Sequence, residues 1–141
     1  MVHLMNIKTE RDIIRKFLLF GISTIMGLSH LLFSYSIEEQ RIYSKAMEKE
    51  LPIIIILPDS YPSSEEAYPV VYLLHGFGGN YRNWTDLTTV EELSDVYNLI
   101  IVCPDGGVDS WYFDSPMDPT SQYETHIATE VVAFIDGNYR T

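Results

Sequence analysis

The segment Val70-Val71-Tyr72-Leu73-Leu74-His75-Gly76-Phe77-Gly78-Gly79-Asn80, followed by Trp84, sets the architecture of the chain. Five apolar or aromatic residues in a row after Pro69 predict a strand buried on both faces. The run stops at His75-Gly76-Phe77-Gly78-Gly79. Three glycines in four positions let the chain turn sharply and let a ligand come close to the backbone. A helix-like segment follows. A strand, a Gly-rich turn and a helix start make a place where backbone N–H groups can face an anion.

Three readings of the turn compete. The glycines can serve an ordinary strand-to-helix loop, a phosphate cradle, or an oxyanion loop. A phosphate cradle would carry G-x-x-x-x-G-K-[ST] or G-x-G-x-x-G, and neither is present, because Tyr81 follows Asn80. In an α/β-hydrolase, one oxyanion donor comes from an HGGG-type loop after the third strand. The other comes from the residue after the nucleophile. His-Gly-x-Gly-Gly behind an apolar strand fits this third reading best.

The same residues resemble the esterase D group of α/β-hydrolases, which includes tributyrin, feruloyl and acetyl-xylan esterases, S-formylglutathione hydrolases and mycolyltransferases. Three flanking segments extend the resemblance over residues 44–141. Leu57-Pro58-Asp59-Ser60-Tyr61 is similar to the end of the family's second strand. Pro104-Asp105-Gly106-Gly107 with Ser110-Trp111-Tyr112 is similar to the segment after its fourth strand. Ser121-Gln122-Tyr123-Glu124-Thr125 is similar to the start of its next helix. The implied fold is the N-terminal half of an α/β-hydrolase, a mixed, mostly parallel sheet flanked by helices. The implied chemistry is Ser-His-Asp acyl transfer.

That resemblance assigns roles to residues. The backbone N–H of Phe77 becomes an oxyanion donor. Gly76, Gly78 and Gly79 supply geometry, and His75 braces the loop rather than acting as base. Trp111 and Tyr112 are expected to wall a substrate site, because ligands of open α/β sheets bind beyond the carboxyl ends of strands. The rival for these two aromatics is that they pin the loop to the core.

One departure is larger than the matches. The nucleophile of such an enzyme sits in G-x-S-x-G, and no serine of this chain has that context. Gly27-Leu28-Ser29-His30-Leu31 lacks the last glycine. The triad acid and histidine follow the serine in chain order. The chain therefore reads as an esterase's N-terminal half, cut before its nucleophile and inactive alone. Two alternatives stand beside this: a non-catalytic secreted or membrane-tethered binding protein on a degenerate scaffold, and an acyltransferase of the same family.

Outside residues 44–141 the sequence changes character. Residues 1–16 carry Lys8, Arg11, Arg15 and Lys16, and residues 17–33 are apolar and uncharged. With the small residues of Ser34-Tyr35-Ser36, this is the layout of a signal peptide over residues 1–36, or of an uncleaved anchor over residues 17–33. The hydrolase part would occupy residues 37–141 of a secreted or periplasmic protein. From Ile37 onward there are five basic and eighteen acidic residues. Such a surface repels nucleic acid and anionic lipid. The partner expected is a small-molecule or polysaccharide ester: short acyl, acetyl or feruloyl. A membrane enters only through an uncleaved N-terminus. No cofactor or metal is implied, and oligomeric state stays open.

The remaining elements follow from local pattern. Residues 42–47 predict an edge strand broken at Pro52, Ile53 to Leu57 a buried strand, and Leu99 to Cys103 another. Cys103 reads as a buried, inert thiol. Thr88-Thr89-Val90-Glu91 and Ser121-Gln122-Tyr123-Glu124 each read as a capping box. The first helix is expected to end at Tyr97-Asn98. The second should pack Tyr123, Ile127, Val131, Phe134 and Ile135 on one face. His126 on that helix is expected to be a surface or packing residue.

Overall fold

The computed structural model describes residues 35–141. The segment read as signal peptide or anchor lies almost wholly outside them. No helix among the described residues is long and apolar enough to cross a membrane.

Strands β1 (Ser36–Ser44) and β2 (Lys49–Leu57) form an antiparallel hairpin. Strand β4 (Ile100–Pro104) pairs antiparallel with β2 and parallel with β3 (Val70–Tyr72), giving the order β1-β2-β4-β3. The isoleucine run of β2 explains why this sheet has a core on each side. Successive strand residues point to opposite faces. Ile53 and Ile55 join Ile100 and Val102 on one face, while Ile54 and Ile56 join Ile101 and Cys103 on the other. Each fully buried isoleucine contributes roughly 1.5–3 kcal/mol of burial free energy.

Helices close both faces. α1 (Asn83–Leu87) and α2 (Val90–Tyr97) lay Trp84 and Val90 against the Ile54 side. α3 covers the other with Val131 and Ile135, supported by Ile127 and Phe134. It is α-helical over Tyr123–Thr125 and Val132–Asn138 and π-helical over His126–Val131. Ile127, Val131 and Ile135 are spaced by four residues, and each such step overshoots an α-helical turn by about 40°. The wider π turn takes back part of that drift. Tyr123 packs with Met47 and Leu51 instead of the main core.

Several local expectations are corrected. Pro52 does not break a strand; it lies within β2, opposite Arg41. Its carbonyl accepts the Asp105 N–H at 3.1 Å, so its missing N–H faces the β4 side, away from β1, and the β1–β2 ladder loses no bond. The edge strand begins earlier than expected, at Ser36, and residues 45–48 form the hairpin turn, with Glu48 at φ 52°. β3 is not buried on both faces. It is an outer strand among the described residues, and Val71 remains exposed while Val70 and Tyr72 are half-buried. Its pairing continues past the regular strand through the Leu73 N–H to the Val102 carbonyl at 2.8 Å.

Neither capping box forms. Thr88 Oγ1 accepts the Val90 N–H at 3.2 Å and donates to the Trp84 carbonyl, while Glu91 turns inward and is buried. At α3, the Asp114 carboxylate arrives from the preceding loop. It accepts the Thr125 N–H at 3.0 Å and the Thr125 hydroxyl at 2.6 Å. These two bonds hold the Asp114 carboxyl below its ordinary range. A charged acceptor from a distant loop displaces the weaker local hydroxyl. The C-terminus of α2 is as expected: Asn98 takes the left-handed conformation, φ 52°.

Cys103 is fully buried, and burial first, then the neighbouring Glu91 charge, pushes its thiol up to about 12. His126 is a packing residue, not a surface one. It is almost fully buried, its Nδ1 lies 2.9 Å from Glu130 Oε2, and Glu130 Oε1 accepts the Ala46 N–H at 2.9 Å. That chain of contacts ties α3 to the β1–β2 turn.

Candidate active site

The site lies where β3 and β4 end side by side. Parallel neighbours deliver both following loops, residues 75–82 and 105–113, to the same edge of the sheet. Between them is a cleft of about 180 Å³, lined by His75, Gly76 and Phe77 from the first loop and by Gly107–Tyr112 from the second.

The first loop is shaped by its own hydrogen bonds. The Gly79 N–H donates to the Gly76 carbonyl at 3.0 Å, and the Gly78 N–H crosses to the Val108 carbonyl at 2.8 Å. Gly78 sits at φ 74°, where a side chain would be strained. A Cβ on Gly79 would meet Asn83 Nδ2 at 2.6 Å. Asn83 accepts the Asn80 N–H at 3.1 Å, and Trp84 Nε1 donates to the Leu74 carbonyl at 3.2 Å, so α1 grips both ends of the turn. The N–H groups of Gly78, Gly79 and Asn80 are thus occupied. That of Phe77, among the described residues, has no protein partner.

His75 is buried and spans the two loops. Its Nδ1 lies 2.9 Å from the Gly76 carbonyl, and its Nε2 accepts the Gly106 N–H at 3.0 Å. The Tyr112 hydroxyl donates to the His75 carbonyl at 2.9 Å. Burial raises the Tyr112 phenol above its ordinary value, partly offset by this bond.

The second loop carries strain. Trp111 and Tyr112 stand at φ 56° and 57°, unusual for bulky residues. Ser110 Oγ holds that bend, accepting the Tyr112 N–H at 3.0 Å and donating to the Gly106 carbonyl. Gly106 is forced, because a Cβ there would lie 2.1 Å from Tyr112 Cε1. The two aromatics therefore differ. Tyr112 is a half-buried strut that also lines the cleft. Trp111 is 72% exposed and its ring faces that of Phe77, itself 74% exposed, at 5.8 Å between centroids.

All the residues singled out in the sequence, His75, Gly76, Phe77, Gly78, Gly79, Trp111 and Tyr112, come together at this one place. Sequence reasoning missed Val108, Asp109 and Ser110 as lining residues. Their signal was the turn chemistry of Asp105-Gly106-Gly107, where the Gly107 N–H donates to Asp105 Oδ1 at 2.9 Å and Gly107 adopts φ 70°. No group of three or more metal-ligating side chains is present among the described residues.

Comparison with known proteins bears on the family and the fold. The esterase family model matches residues 44–141. An esterase of Mycobacterium tuberculosis is 37% identical over 92 residues, which span 62% of this chain and 20% of that protein. The acetyl esterase of Caldicellulosiruptor saccharolyticus is 31% identical over 99 residues, 65% of this chain and 36% of that one. The chain thus spans about a fifth to a third of the length of the curated relatives it matches. Among solved structures, a ferulic acid esterase superposes with a TM-score of 0.67 at 30% identity, covering 77% of this chain and 45% of that one. An S-formylglutathione hydrolase of Staphylococcus aureus, at 18% identity, shares the fold with a TM-score of 0.63 over 76% of this chain and 42% of its own.

Proposed function

The chain belongs to the esterase family, and from that membership we propose that it supplies the oxyanion loop of a secreted carboxylic-ester hydrolase. The nucleophilic serine of that enzyme lies outside these 141 residues. The observation that carries the reading is the Phe77 N–H. Phe77 lines the cleft, and among the described residues its N–H has no protein partner, while those of Gly78 and Gly79 are taken.

Attack of a serine on an ester carbonyl moves negative charge onto the carbonyl oxygen. Donors placed about 2.7–3.1 Å from that oxygen stabilise it without rearranging, and losing one costs about 10²–10³ in kcat. Phe77 N–H is one donor. The second comes from the residue after the nucleophile. Collapse of the tetrahedral species expels the alcohol, and water then releases the acid. Trp111 and the Phe77 ring flank the acyl group. Short acyl, acetyl and feruloyl esters are the substrates this reading favours; the acetyl and ferulic acid esterases among the similar proteins support that range. The basic, then apolar, N-terminus supports export. With no serine in the G-x-S-x-G context, these 141 residues have no esterase activity alone.

The test is hydrolysis of p-nitrophenyl acetate and methyl ferulate by the product of the complete reading frame, beside the 141-residue chain. Turnover by the former, abolished when the serine of G-x-S-x-G becomes alanine, and none by the latter, is the expected result. A complete product with no such serine and no turnover overturns the proposal.

A further inference from the structure

Four aspartates lie between β4 and α3, and three of them serve the backbone. Asp105 accepts the Gly107 N–H at 2.9 Å, Asp114 the Thr125 N–H at 3.0 Å, and Asp118 the Thr120 N–H at 2.8 Å. Asp109 is the exception. It is exposed, it lines the cleft, and among the described residues its carboxylate has neither a hydrogen bond nor an ion pair. The residues on either side of it are anchored. The Val108 carbonyl accepts the Gly78 N–H at 2.8 Å, and Ser110 Oγ accepts the Tyr112 N–H at 3.0 Å. The backbone thus holds Asp109 at the cleft while its side chain stays free.

No positive side chain answers it there. Among the described residues no Lys or Arg lines the cleft. Arg41 donates to the Glu50 carbonyl, Lys49 to the Thr120 carbonyl, Arg82 pairs with Glu39 and Asp86, and Arg140 lies over the Tyr61 ring. Lys45 sits in the turn between β1 and β2. The same cleft presents two aromatic rings to water, Phe77 and Trp111, inclined by 31° to each other. An aromatic face attracts a cation through its quadrupole, and exposed rings are the means by which quaternary ammonium groups are recognised. An unpaired carboxylate beside them adds a Coulomb attraction of the same sign.

We propose that Asp109 is a specificity-determining residue, and that the cleft prefers a ligand bearing an ammonium group over a neutral one of the same shape. As a statement about substrates, ammonium-bearing esters, this rests on the ester-hydrolase reading above; the preference for a cation does not. The acidic surface of residues 37–141 works in the same direction at longer range. Esters carrying a carboxylate close to the scissile bond are disfavoured by the same charge.

The experiment is binding of choline and of its uncharged isostere 3,3-dimethylbutan-1-ol to the 141-residue chain, followed by the amide 1H–15N shifts of residues 107–112. It needs no turnover and so can fail separately from the esterase reading. At low salt choline is expected to bind roughly three- to tenfold more tightly, the factor that one solvated carboxylate gives a monovalent cation about 5–7 Å away. The advantage should shrink as sodium chloride is raised to about 300 mM, while binding of the alcohol should not weaken. Asp109→Asn breaks no bond that holds the loop and should remove most of the advantage. Equal affinities, tighter binding of the alcohol, or no shift with either probe overturns the proposal. So does an advantage unchanged in Asp109→Asn. Should that variant fail to fold, the salt series on the unsubstituted chain decides alone, and an advantage that does not fall with salt overturns the proposal.

Discussion

At the centre of the sheet Ile55 and Ile56 are fully buried, whereas at the rim beyond β3 and β4 the equally apolar Phe77 and Trp111 are 74% and 72% exposed. The difference lies in what each region is packed against. The isoleucines meet neighbours on β4 and a helix on either face. The rim aromatics meet chiefly each other, at the mouth of a cleft. Large apolar groups left in water mark a place built for contact rather than for stability. The backbone says the same: the strained, left-handed residues Trp111 and Tyr112 are at the rim, and the sheet strands contain none.

Substitutions can break this contrast. Ile55→Ala is expected to cost about 2–5 kcal/mol, read as a shift of the urea midpoint. A cost under about 1 kcal/mol would show that the centre is not the region holding the fold. Gly106→Ala drives a methyl group into the Tyr112 ring, 2.1 Å from Cε1, and should cost about 1–3 kcal/mol. Tyr112→Ala in the same chain should recover part of that loss. Strict additivity of the two would mean that the strut does not contact Gly106.

Smaller effects sharpen the contrast. Trp111→Gly and Trp111→Ala both remove the indole, but only glycine accepts φ 56° freely. The glycine variant should be more stable than the alanine one by about 1 kcal/mol in thermal unfolding. Phe77→Ala should leave stability within about 0.5 kcal/mol, since the ring is mostly in water. The smallest effect is a pH dependence. The folded Asp114 carboxyl titrates below its ordinary 3.8, so the stability it lends to α3 is complete above that value and lost as pH falls through the lowered folded one. Asp114→Asn should flatten that acid limb of the melting temperature relative to the unsubstituted chain. Identical limbs would remove the carboxylate from the helix start.

How much of this was legible depended on the range of the interaction. The run from Ile53 to Ile56 and the Asn98 stop are local signals, and both hold. The glycines of the first loop were visible as a turn, and their neighbours then formed the cleft. The capping boxes failed because other acceptors compete, one from a preceding loop and one a single helical turn back. Asp114 reaches Thr125 from eleven residues away, and Thr88 answers to Trp84 instead of Glu91. The tolerance of Pro52 depends on which neighbouring strand its nitrogen faces, and that is set by the sheet pairing. Val71 is exposed and β3 is the last of the described strands in the sheet order, a position that no window along the chain contains.

The chain has two tryptophans, and the structure divides them between the two regions. Trp84 is partly buried against the Ile54 face with its indole N–H bound to Leu74, while Trp111 stands open to solvent over Phe77. Their emission is therefore a built-in pair of optical probes. An aqueous quencher such as iodide reaches Trp111 first and leaves the bluer Trp84 signal to follow unfolding. One cuvette then tracks the arrival of a ligand and the integrity of the sheet without any label.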